Sequence, residues 1–135
     1  MKSLFVACLI AGSLMFVTAQ EPYKPALRQG VAVQMPVARH AVEMRAADEQ
    51  DATIIAVTAG GKVFIGVKPA PLGSLSDVSA GTVYLKADAR VQYQEILAVL
   101  EALRGKRIFL LTAAPGKVET GAFLPPYGVE VKLVQ

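Results

Sequence analysis

The side chains in this sequence that could carry out chemistry are few and poorly placed for it. One histidine, His40, and one cysteine, Cys8, occur in 135 residues. A single thiol can build neither a disulfide framework nor a multi-cysteine zinc site. His40 lies in an irregular segment with no Ser or Cys nucleophile beside it, so a lone surface histidine is expected. Asp48, Glu49 and Asp51 crowd into residues 45–51 (RAADEQD), which resembles a metal cluster only in composition. The run lacks the central Gly and distant Glu of a calcium loop, and is read as a solvated loop. Glu95 and Glu101 fall about 600° apart on a helix, on different faces, which separates them too far for acid–base pairing. Gly60 and Gly61 are followed by neither a Lys-Ser nor a Lys-Thr pair and open no helix, so they are not a phosphate cradle. No catalytic, cofactor-binding or metal-ligating residue is assigned, and a non-enzymatic protein is expected.

Composition narrows the class further. With 53% hydrophobic and 19% charged residues, the chain is too apolar for a disordered tail and is long enough for one domain. Fourteen Lys and Arg against eleven Asp and Glu leave a net charge of +3, too small and too dispersed for a nucleic-acid binder.

The N-terminus reads as an export address. Lys2, an apolar run over residues 4–17, and small residues at Val17 and Ala19 match the three regions of a cleavable signal peptide. Residues 1–19 are therefore expected to be a signal peptide; the rival is a short membrane anchor, although a spanning helix needs roughly 20 residues. Cleavage would leave a cysteine-free chain, suited to an oxidising compartment. Residues 20–30 (QEPYKPALRQG) read as an extended linker.

The remaining elements follow from periodicity and breakers. Residues 31–35 suit a short strand limited by Pro36. Residues 53–59 (TIIAVTA) and 62–67 (KVFIGV) flank Gly60 and Gly61, predicting a β-hairpin with a tight primed turn. Pro69, Pro71 and Gly73 then break the chain, leaving at most one or two helical turns over residues 72–78. Residues 83–87 (VYLKA) alternate as a strand with Val83, Leu85 and Ala87 on one face. Tyr93, Ile96, Leu97, Leu100 and Leu103 form one apolar helical stripe. Gln92 is a poor cap that Glu95 can supplement; Gly105 and the cations Arg104, Lys106 and Arg107 suit the helix end. Residues 108–112 (IFLLT) suit a strand central in its sheet or covered on both faces. After turns at Gly116, Gly121 and residues 125–128, residues 129–134 (VEVKLV) alternate strictly, as a half-buried strand or charge-guarded edge. Pro125 and Pro126 are read as turn-forming, with a peptide ligand for an aromatic groove as the alternative.

This order resembles the periplasmic domain of the ExbD/TolR family. The resemblance is carried by residues 57–64 (VTAGGKVF) and 83–93 (VYLKADARVQY), then by the helix and residues 108–112. It spans about residues 30–114, with residues 115–135 as a C-terminal turn and strand extension. The resemblance implies an α+β fold, a small mixed β-sheet with one or two helices packed on one face. It implies a non-catalytic accessory component of an energised TonB/Tol-type biopolymer transport system, acting by protein–protein binding. Partners would be ExbB/TolQ-type or TonB/TolA-type proteins, or a second copy in a homodimer, and the location the periplasm or the periplasmic side of the inner membrane. Family members carry an aspartate in their spanning helix, whereas residues 4–19 here hold no acid, so proton coupling is not carried over. The alternative function is a free periplasmic domain that binds cell-wall polymer or a peptide along an exposed strand.

Three residues are candidate partner contacts. Tyr84 alternates away from Val83 and Leu85 and is expected on an exposed sheet face. Asp88 ends a strand just before the helix, where its local role is to accept backbone N–H groups of the following turn, a partner contact being the alternative. Tyr93 opens the helical stripe, where packing with the hydroxyl at the rim is expected.

Overall fold

The computed structural model describes residues 30–115 and 124–133. The expected leader over residues 1–19, the linker over 20–30 apart from Gly30, and the turns expected at Gly116 and Gly121 lie outside the described residues. Seven strands form one mixed sheet: β1 (Val42–Glu43), β2 (Ile54–Val57), β3 (Val63–Ile65), β4 (Lys68–Pro69), β5 (Thr82–Ala87), β6 (Arg107–Thr112) and β7 (Tyr127–Val131). Their order is β1-β7-β6-β5-β2-β3-β4. β5 pairs in parallel with both β2 and β6, and the other neighbours are antiparallel. Parallel neighbours cannot be joined by a tight turn; the helix α1 (Tyr93–Ala102) makes the β5-to-β6 connection. The fold is α+β, with one main helix against the sheet.

Alternation decides what each face holds. Ile55, Val57, Val83, Leu85, Ala87 and Ile108 point to one side, where they form a buried core with Val99, Leu100 and Leu103 of α1. Leu75, from the short 3₁₀ helix Leu72–Asp77, closes the same core. Each fully buried Leu or Ile contributes about 1.5–3 kcal/mol relative to an exposed one.

The helix exists where its sequence predicts, but its buried stripe is turned. Ile96, Val99, Leu100 and Leu103 pack inward, while Tyr93 is 73% exposed and Leu97 is 37% exposed. Periodicity admits either stripe, because apolar residues occur on both; the sheet selects the one that Val99 completes. Gln92 makes no side-chain cap, and Glu95 donates only its backbone N–H, to the Gln92 carbonyl. At the other end Gly105 adopts a left-handed φ of 93°. Arg104 pairs with Glu101, Lys106 donates to the Val78 carbonyl, and Arg107 opens β6.

The hairpin also forms, with a different turn. Only Gly61, at φ 85°, is left-handed. Thr58 N–H donates to the Lys62 carbonyl and Gly61 N–H to the Thr58 carbonyl, giving a three-residue loop in place of a two-residue primed turn. The Glu95 carboxylate lies over Gly61, where a Cβ would collide with it.

Two other expectations are corrected. Residues 31–35 form no strand, because this segment spends its polar groups on the ends of other strands: Ala89 N–H donates to the Gln34 carbonyl and Ala113 N–H to the Pro36 carbonyl. The acidic run is not a plain solvated loop, since Arg45–Asp48 form a 3₁₀ helix that buries Ala47. β7 is covered on its outer side only at its start, and from Val129 on it has no outer strand partner among the described residues, as the edge reading of that segment expects. Val42 and Glu43 pair with Gly128 and Tyr127 on its outer side, so the expected extension joins the same sheet as the rest. Within β6, Ile108, Leu111 and Thr112 are buried between β5 and β7, as its apolar run predicts.

Candidate functional site

The three candidate contact residues are separated by the fold. Asp88 is only 3% exposed and every partner it has is local or structural. Its carboxylate accepts hydrogen bonds from the Arg90 backbone N–H at 2.9 Å, from Arg90 Nε at 2.9 Å, from Arg90 Nη2 at 3.0 Å and from the Gln34 N–H at 3.0 Å. The local turn role expected from its position is therefore present, together with a clasp on residues 30–37. That segment crosses the C-terminal ends of β5 and β6, where Val37 also bridges Ala113. No sequence pattern announces the clasp, because its second half is 54 residues away.

The Arg90 guanidinium, followed by the Gln34 and Arg90 backbone amides, holds the Asp88 carboxyl well below the usual carboxylate range. A depressed folded value means that the stabilisation is complete above the unfolded carboxyl pKa of about 4 and is lost as pH falls toward the folded one. Asp88→Asn should therefore melt below the wild type near neutrality, with the gap narrowing as pH drops from about 6 to about 2. Melting curves across that range test this; a gap independent of pH would show that ionisation of Asp88 does not hold the strap.

Tyr84 lies on the sheet face opposite α1, half-buried. Its ring stacks on Phe109 at 5.6 Å between centroids. Arg107 sits 4.9 Å above the Phe109 ring and pairs with Glu130 at 2.8 Å. The pairing lowers the Glu130 pKa and raises that of Arg107. The result is an aromatic and ionic strip crossing three strands, able to offer stacking and charge to a partner. Tyr93 stands on the helix, across the sheet from Tyr84 and on no shared surface with it.

The same face carries a cavity of about 430 Å³. Val31 and Met35 of the strap, Ile54 and Ala56 of β2, Leu111 of β6 and Pro125 contribute to a mainly apolar lining. Two charged residues also line it, Lys86 of β5 and Asp48 of the 3₁₀ helix. Lys86 is half-buried, and burial lowers its pKa. Among the described residues it makes no ion pair and no side-chain hydrogen bond. Sequence reasoning missed this lysine although a signal exists: alternation along VYLKA puts Lys86 on the Tyr84 face, opposite the core.

Among the described residues no group of three or more His, Cys, Asp or Glu could hold a metal ion. No helix among them is long and apolar enough to cross a membrane. Neither the known protein-family models nor the curated proteins contain a match to this chain.

Proposed function

We propose that the chain is a non-catalytic binding module of the bacterial envelope, an ExbD/TolR-like accessory component of a TonB/Tol-type transport complex. The observation that carries this reading is that the residues bearing the resemblance lie on four neighbouring strands of the sheet, β3, β2, β5 and β6, and on the helix that joins β5 to β6. Residues 57–64 span the β2–β3 hairpin, residues 83–93 run from β5 through the Asp88 turn into α1, and residues 108–112 lie in β6. The module works by presenting surface: the Tyr84–Phe109–Arg107 strip on one face and the exposed Tyr93 on the other. It needs no reacting group. Partners of this reading are ExbB/TolQ-type or TonB/TolA-type proteins, or a second copy, at the periplasmic side of the inner membrane.

Affinity recovery from native envelopes tests it. A motor subunit or energy transducer should co-purify with the wild type and be recovered at least about fivefold less well with Tyr84→Ala or Tyr93→Ala, a loss of about 1 kcal/mol in binding. Recovery of neither class of partner would overturn the reading. A second reading, strand addition by a peptide or binding to cell-wall polymer, is favoured by one feature. Beyond Gly128 the outer side of β7 has no strand partner among the described residues. Sedimentation with purified peptidoglycan, without any motor partner, would select this second function.

A further inference from the structure

We infer that the cavity beneath the strap is a binding site for a small amphipathic carboxylate, its apolar body against Ile54, Ala56 and Leu111 and its carboxylate on the Lys86 ammonium. This inference is independent of the transport reading. Three observations converge on it. The cavity, at about 430 Å³, falls within the range of small-molecule pockets, about 300–1,000 Å³. Its walls are mainly apolar, as such pockets are, with few polar groups to fix orientation. The third observation is the lysine itself.

Lysine usually extends its ammonium into water even when its stem is buried. Lys86 instead carries its charge toward the strap, and a Cβ on Gly30 would lie 3.6 Å from Nζ. Partial burial opposes that charge, and among the described residues it has no ion-pair partner. An incoming carboxylate would supply the missing counter-charge through a charge-assisted hydrogen bond, strengthened because the site is only partly wet. Asp48 is the other charged group in the lining. The apolar walls favour a ligand that keeps its carboxylate at Lys86 and an apolar tail against Ile54, Ala56 and Leu111 over a compact anion such as phosphate. Asp88 and Glu130 are held by Arg90 and Arg107 respectively and do not compete.

The test uses the full chain labelled in its Ala, Ile and Leu methyl groups and at lysine Cε, with decanoate as probe. Decanoate should shift the Ala56, Ile54 and Leu111 methyl signals saturably and raise the Lys86 pKa. Lys86→Met, which keeps the stem and removes the charge, should weaken binding about tenfold, and decanol should bind the wild type about tenfold more weakly than decanoate. Methyl spectra of the variant without ligand establish that it is folded. Equal affinity for decanol, or unchanged affinity in Lys86→Met, would overturn the carboxylate role. Shifts confined to other residues would overturn the site. A Lys86 that titrates at or above the ordinary lysine value in the free chain would also overturn it, since a carboxylate of the chain itself would already hold the position.

Discussion

Leu103→Ala is expected to destabilise the protein by about 2–5 kcal/mol. Leu103 is fully buried at the end of α1, in the layer where the helix meets Val83, Leu85 and Ile108. Truncation loses the transfer of its side chain from water and leaves a cavity, because strands paired on both sides cannot collapse into the gap. Its own N–H donates to the Val99 and Leu100 carbonyls, and the Lys106 N–H donates to the Leu103 carbonyl. The chain therefore turns out of the helix around this residue. Leu97→Ala, on the same helix but turned outward and 37% exposed, should cost about 1 kcal/mol or less. Urea unfolding of both variants decides the matter. Similar losses at the two positions would mean that α1 buries the stripe beginning at Tyr93 rather than the one completed by Val99.

Gly128→Ala is expected to cost about 1–3 kcal/mol or more, far above a typical surface Gly→Ala change. A Cβ on Gly128 would stand 2.6 Å from the Leu110 carbonyl oxygen and 2.7 Å from Met44 Sδ. The thioether is flexible and can swing aside. The Leu110 carbonyl belongs to β6, which is paired on both sides, so relief there requires β7 to part from its neighbour. The same shift would loosen β1, because Val42 pairs with Gly128 and the Met44 N–H donates to the Pro126 carbonyl at 2.7 Å. Faster amide exchange at Met44 should accompany the loss of stability. Met44→Ala combined with Gly128→Ala separates the two obstacles. Stability returning to that of Met44→Ala alone would assign the whole clash to the thioether and remove the backbone argument.

Much of the fold was legible because it is local. The alternation of Val83, Leu85 and Ala87 specifies which face of β5 is buried, and the structure buries all three. The glycines after residues 53–59 announce a chain reversal, and the apolar run of residues 108–112 announces a strand inside its sheet. Other features depend on what arrives from elsewhere in the chain. The turn type at residues 58–62 could not be read from two adjacent glycines, since both three-residue and two-residue loops use them. Val42 and Glu43 carry no strand signal in two residues; Gly128 and Tyr127 of β7 make them one by pairing. Tyr93 and Leu97 belong to a legitimate apolar stripe, and only the position of the sheet excludes them from the core.

The sequence by itself determined the elements: a hairpin, the buried face of β5, one amphipathic helix and the apolar strand after it. Spacing within a segment encodes that information, because side-chain direction repeats every two residues in a strand and every 3.6 in a helix. Tertiary structure alone decided the functional geometry. It folded residues 30–37 over the strand ends and clasped them with Asp88, stacked Tyr84 on Phe109, and placed Lys86, with no ion pair among the described residues, in the wall of a mainly apolar cavity. Each of these features joins residues distant in the chain, and neither hydropathy nor spacing records which distant backbone will meet a given side chain.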